Sequence, residues 1–178
     1  MSETPTRAGA VTMKGKPLDL VGPELKVGDK APQFTCVGAG MSVVTLSDTA
    51  GKTRLFNVVP SLDTPVCNIQ TRHFSEQLKA MGDAVTAYTV SMDQPFAQDR
   101  WCKDAHIENV KNLSDVHDHS FGSHYGVLIK GLPIPLLARA VIVVAPDDTI
   151  KYIQVVPEVA TEPDYAPAIE ALKALVGG

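Results

Sequence analysis

Three cysteines in 178 residues are too few for a disulfide scaffold, and an odd count leaves at least one without an intramolecular disulfide partner. No apolar run approaches the ~18 residues that a transmembrane helix needs. Lys and Arg form no run, and the net charge is only −4, so the concentrated basic patch of a nucleic-acid binder is missing. Met1–Gly9 is polar and has no apolar segment of the signal-peptide kind, which predicts retention in the compartment of synthesis, the reducing cytoplasm. There, Cys36, Cys67 and Cys102 read as chemistry or core filling. Apolar residues at 44% and charged residues at 20% are ordinary globular values.

The pattern along the chain has no internal repeat and no dividing linker. It predicts a mobile arm over Met1–Ala10 and a single domain over residues 11–178. Val11–Leu20 reads as a hairpin around Gly15, and Val43–Leu46 as a short extended piece. Thr53–Val59 is an apolar run of strand length stopped by Pro60. A helix follows from Pro65, with Val66, Ile69, Phe74, Leu78 and Met81 at helical spacing and Gly82 at its end. Val85–Met92 reads as a strand, Phe96–Ala105 as a helix and Ser120–Tyr125 as a short helix. Arg139–Ala145 is the clearest strand and turns through Pro146–Asp148 into Thr149–Val156. A last helix opens at Glu162–Asp164, with acidic residues in its first turn, and buries Ala168, Ile169, Leu172 and Leu175. This order predicts an α/β fold, a mixed sheet with helices on both faces.

Cys67 stands out by position. Thr64 is a good N-cap and Pro65 suits the first helical position, so Cys67 falls in the first turn of a helix that follows a buried strand. Free backbone N–H groups and the positive end of the helix dipole favour a thiolate there, the nucleophilic form of cysteine. Open α/β folds place their sites at such strand ends. A cysteine in this place can equally be a small, inert, buried side chain, and position alone names no reaction.

Pro60, Thr64 and Cys67 fit the P-x-x-x-T-x-x-C signature of the peroxiredoxins, and the Pro60–Phe74 segment resembles their thiol peroxidase branch, the atypical two-cysteine peroxiredoxins. The likeness continues through Leu113–Asp115, Tyr125–Val127, Leu137–Val141 and Glu162–Tyr165, and so covers nearly the whole chain from Val11. It implies a thioredoxin-like fold with an N-terminal hairpin. It also implies a peroxidase with Cys67 as the attacking sulfur and Cys102 as the resolving one, joined within one chain and reduced by thioredoxin. Thr64 would hydrogen-bond the thiolate and the peroxide, Pro60 would shield the sulfur from water, and Arg139 would hold the thiolate. A homodimer is implied as well, and no metal, haem, flavin or selenium is needed. Read by itself, Arg139 at the start of an apolar strand is better taken as an edge residue snorkelling to solvent.

Cys102 lies in Arg100-Trp101-Cys102-Lys103 on a different predicted helix from Cys67. A disulfide brings Cα atoms within ~7 Å, so one or both helix starts are expected to unwind during turnover, and spacing alone leaves a bond between subunits open. Cys36 has no counterpart in the family and reads as packing beside Phe34. His117, His119 and His124 match no strong zinc pattern and lie in a polar, turn-like stretch. A disulfide oxidoreductase is disfavoured because Cys67 is followed by Asn68-Ile69-Gln70, which breaks the C-x-x-C requirement. The remaining rival is a peroxide sensor on the same fold, without efficient turnover.

Overall fold

The computed structural model describes residues 3–177. β1 (Thr6–Met13) turns through Lys14 and Gly15 into β2 (Lys16–Val21), with Met13 paired to Lys16. Both turn residues have positive φ, 51° and 82°, the two-residue geometry that matches strand twist and that glycine adopts without steric cost. Thr6–Ala10, expected in a mobile arm, are therefore part of the hairpin. Arg7 explains the difference: it pairs with Leu20 and donates to the carbonyls of Gly22 and Gly126, long-range anchors invisible in a polar sequence. Met1 and Ser2 lie outside the described residues.

The chain then runs through β3 (Thr35–Val37), β4 (Val43–Thr45), β5 (Thr53–Val58), α1 (Pro65–Leu78), β6 (Val85–Ser91), α2 (Pro95–Ala105) and β7 (Lys111–Ser114). It continues with α3 (Ser120–His124), β8 (Leu128–Lys130), β9 (Leu136–Leu137), β10 (Ala140–Val144), β11 (Ile150–Val155) and α4 (Tyr165–Val176). A seven-stranded sheet has the order β11-β10-β5-β6-β7-β3-β4, in which β5, β6 and β7 are parallel and the outer pairings antiparallel. Every residue of β5 and β10 is buried, as expected of central strands covered on both faces. A smaller antiparallel sheet, β1-β2-β8-β9, uses the hairpin.

Side chains alternating across the large sheet feed two cores. Leu55, Ala87, Val141 and Val143 pack with Cys67 and Phe74 of α1, Trp101 of α2, and Ala168 and Leu172 of α4. Phe56, Val58, Val90 and Ile142 pack on the opposite face with Phe121 of α3 and with Val11, Leu20 and Ile129 of the smaller sheet. This is the mixed sheet with flanking helices and an N-terminal hairpin anticipated above. Two details differ. Ile69 is 49% exposed, because α1 turns Gln70 and Thr71 inward instead. Glu162–Asp164 precede α4, whose first turn holds no acidic residue. Among the described residues no helix is long and apolar enough to cross a membrane.

Candidate active site

At the end of β5 the N–H of Val59 still donates to the carbonyl of Val90 (3.0 Å), and buried Pro60 then leads the chain off the sheet. Asp93, just past β6, fixes the following loop. Its carboxylate accepts from the Ser61 hydroxyl (2.7 Å), the Leu62 N–H (2.8 Å) and the Ser91 hydroxyl (2.8 Å). The loop thus delivers Thr64 and Pro65 to the start of α1 at the carboxyl end of the central strands. Thr64 has the extended backbone of an N-cap (φ −94°, ψ 147°), and the helical ladder begins with Asn68 N–H donating to its carbonyl (3.1 Å). Cys67 lies in the first turn, as expected, among N–H groups that have no intrahelical acceptor.

The Thr64 hydroxyl makes no capping bond to the backbone. It lies 2.7 Å from Cys67 Sγ and 2.9 Å from the Ser61 carbonyl. A hydroxyl has one hydrogen, and a carbonyl only accepts. With Cys67 protonated, Thr64 can donate to Ser61 and accept from the thiol; with Cys67 ionised, its hydrogen can turn to the sulfur.

Arg139 adjoins β10 on the same face as Val141 and Val143, and its side chain is buried (2% exposed), so it does not snorkel to solvent. Its Nε donates to the Val159 carbonyl (2.7 Å), Nη1 to Gln70 Oε1 (2.9 Å) and Nη2 to Cys67 Sγ (3.3 Å). Among the described residues no carboxylate lies within ion-pair distance of it. Gln70 is oriented in turn by donating to Asn57 Oδ1, while Asn57 donates to the hydroxyls of Thr71 (3.0 Å) and Thr89 (3.1 Å). A chain of buried polar groups from β6 through β5 and α1 therefore aims a guanidinium at one sulfur. Gln70→Leu should lower the rate at which Cys67 is oxidised by roughly tenfold through misplacement of Arg139. Stopped-flow oxidation kinetics read this directly, and an unchanged rate would show that Arg139 is held without Gln70.

Cys102 is half-buried in the last turn of α2, in the same apolar cluster as Cys67, and all three cysteines are free. It is not near a helix start. Any unwinding that frees it involves the C-terminal turn of α2, closed by His106 in the left-handed region (φ 54°) and by the Ile107 N–H donating to the Cys102 carbonyl (3.1 Å).

A family model described as Redoxin matches residues 26–169. The chain is 52% identical over 165 residues to a thiol peroxidase of Halalkalibacterium halodurans, spanning 93% of this chain and 98% of the relative. Against a thiol peroxidase of Bacillus subtilis it is 47% identical over 166 residues, 93% of this chain and 98% of the relative. The chain belongs to the Redoxin family, among the thiol peroxidases. A peroxiredoxin-like protein from Aquifex aeolicus superposes with a TM-score of 0.87 at 39% identity, covering 98% of this chain and 100% of that one. The fold is therefore the thioredoxin-like fold that the signature implied.

Within this thiol peroxidase fold Cys36 stands apart. It is fully buried on the other face of the sheet from Cys67, where burial and the neighbouring Asp115 push its thiol up. Its S–H points to Asp115 Oδ1 (3.6 Å), while that carboxylate accepts from the N–H groups of Phe121 (3.0 Å) and Gly122 (2.8 Å) at the start of α3. Burial pushes Asp115 up to about 6, against the pull of those two N–H groups. Protonated Asp115 therefore contributes stability in acid that is lost as pH rises from about 4 through about 6. Relative to Asp115→Asn, the wild type should gain about 1 kcal/mol of unfolding free energy between about pH 7 and pH 5. Denaturant melts at the two pH values measure this, and a pH-independent difference would count against it.

His124 Nδ1 contacts the Gln33 carbonyl at 2.6 Å and His119 precedes α3 in the left-handed region (φ 58°). Among the described residues no three His, Cys, Asp or Glu side chains converge on a common point. Sequence reading missed Gln70, Asn57 and Asp93. The only local signal was polar residues at otherwise apolar positions of α1 and β5.

Proposed function

We propose that this chain is a peroxidase that reduces hydroperoxides through Cys67. One observation carries the reading: the buried guanidinium of Arg139 has no carboxylate partner among the described residues and points at Cys67 Sγ. An unpaired buried charge costs several kcal/mol, and a thiolate at Cys67 supplies the missing counter-charge. The same donors, Arg139 and the Thr64 hydroxyl, suit an anionic transition state as the O–O bond lengthens. Pro60, without an N–H and buried where the loop leaves the sheet, shields the sulfur from water.

The Cys67 thiolate attacks the terminal oxygen of ROOH. The S–O bond forms, the O–O bond breaks, and the departing alkoxide takes a proton to leave as alcohol, or as water when R is hydrogen. The sulfenic acid then condenses with Cys102: an S–S bond replaces the S–O bond, and water leaves. A dithiol protein of the thioredoxin kind reduces the disulfide, and the enzyme works as a homodimer in the cytoplasm.

Peroxide consumption in the presence of thioredoxin, thioredoxin reductase and NADPH tests the reading. Consumption of many equivalents is expected. An arrest after one equivalent would instead describe a peroxide sensor.

A further inference from the structure

One side chain on β7 holds the Cys102 turn of α2. Asn112 donates one amide hydrogen to Cys102 Sγ (2.9 Å) and the other to the Gln98 carbonyl (3.2 Å). In an α-helix the carbonyl of residue 98 also receives the N–H of residue 102, so Asn112 grips the sulfur and the backbone of the same turn. A primary amide has two N–H bonds, and both are committed here. Its Oδ1 is buried without a partner. The Gln98 carbonyl can only accept, which fixes the orientation of the amide despite that cost. A crevice of about 470 Å³ lined by Tyr88, Ile107, Val110 and Asn112 opens beside Cys102, which leaves the turn room to move.

The two sulfurs are held by side chains from different strands, Cys67 by Arg139 and Cys102 by Asn112. Register places Ala140, Val58, Val90 and Leu113 in one row across β10, β5, β6 and β7. Arg139 and Asn112 adjoin the ends of that row, three strand spacings or about 14 Å apart. The two cysteines are unbonded in this arrangement, and release of Cys102 from Asn112 frees its sulfur and its turn to meet Cys67.

We infer that Asn112 is a positioning residue for the resolving thiol: it keeps the Cys102 turn docked on β7 and thereby limits the rate at which the Cys67 sulfenic acid becomes a disulfide. The inference rests on the resolving role of Cys102 proposed above. While the turn is docked, a second hydroperoxide can oxidise the sulfenic acid to sulfinic acid, releasing another alcohol. Asn112 therefore also sets the ratio of disulfide to sulfinic product. Burial pushes the docked Cys102 thiol up, and the Asn112 N–H works against that rise. The bond thus grows stronger when the sulfur is ionised and holds it more firmly.

Asn112→Leu removes both donors at similar volume, and Asn112→Asp keeps the shape but repels the Gln98 carbonyl and a thiolate. Trp101, next to Cys102, provides a fluorescence signal for stopped-flow oxidation. The peroxide-dependent first phase should stay within about twofold of wild type. The peroxide-independent second phase should accelerate by roughly tenfold in Asn112→Leu, the effect of two ordinary hydrogen bonds, and by more in Asn112→Asp. The sulfinic fraction at a given peroxide concentration should fall accordingly. Amide exchange should rise over residues 98–106 and not in β5 or β10.

A second phase unchanged or slower in both variants, with a normal first phase, would overturn the inference. So would a rise in exchange across the whole sheet with both phases altered, which marks a merely structural role. If Asn112→Leu does not fold, Asn112→Ser carries the same readouts. Cys102→Ser separates the two layers: a second phase that survives in it refutes the resolving role itself, whatever Asn112 does.

Discussion

Cys67→Ser is expected to lose thioredoxin-dependent peroxide turnover by several orders of magnitude, the size usual when a covalent nucleophile is removed. A serine hydroxyl stays protonated at neutral pH and cannot attack the O–O bond as a thiolate does. The fold should survive. The site is fully buried but small, and the new hydroxyl inherits hydrogen-bond partners in Thr64 and Arg139. The cost should be about 1 kcal/mol, typical of a single conservative replacement. Loss of activity with a near-normal melting temperature isolates the chemistry from the fold. Appreciable residual turnover would mean that another sulfur attacks peroxide. Cys36 is a poor candidate, since burial and Asp115 both oppose its ionisation.

Cys102→Ser is expected to keep the first step and lose the cycle. Thr64, Arg139 and the loop held by Asp93 are untouched by this change. The variant should therefore consume about one equivalent of peroxide at the wild-type rate and then stop with thioredoxin as reductant. With excess peroxide the stranded sulfenic acid should advance to sulfinic acid, which thiols do not reverse. Stopped-flow kinetics and intact mass report both events. Unimpaired cycling with thioredoxin would remove Cys102 from the mechanism and send the search for a resolving thiol to a second chain.

The parts of the fold that could be read from the chain were those with strong local periodicity. Thr53–Val59 and Arg139–Ala145 are continuous apolar runs because β5 and β10 are covered on both faces, and the helix at Pro65 announced itself through Thr64 and Pro65. β7, by contrast, is Lys111-Asn112-Leu113-Ser114, a strand only by virtue of its pairing with β6 and β3. β8 and β9 are too short for any period: β8 is a strand through its pairing with β2 of the N-terminal hairpin, and β9 through its pairing with β8.

The site divides the same way. Cys67 was visible because a capped helix start is a local pattern. Gln70 was hidden because its reason for facing inward is Arg139, 69 residues away in sequence, and periodicity pointed instead to Ile69, which is exposed. Asp93 and Asn112 likewise act on segments brought near only by the sheet. Arg139 itself needed the family signature. Only the fold explains why a charge opens a buried strand: it faces the sulfur.

The most direct measurement is sulfenic acid trapping in Cys102→Ser. The reduced variant is treated with one equivalent of hydroperoxide in the presence of dimedone, then digested and mapped by mass spectrometry. A single adduct on the peptide carrying Cys67, absent from the Cys67→Ser, Cys102→Ser double variant, is the expected result. An adduct on Cys36, or peroxide consumed with Cys67 unmodified, would contradict the assignment of Cys67 as the attacking sulfur.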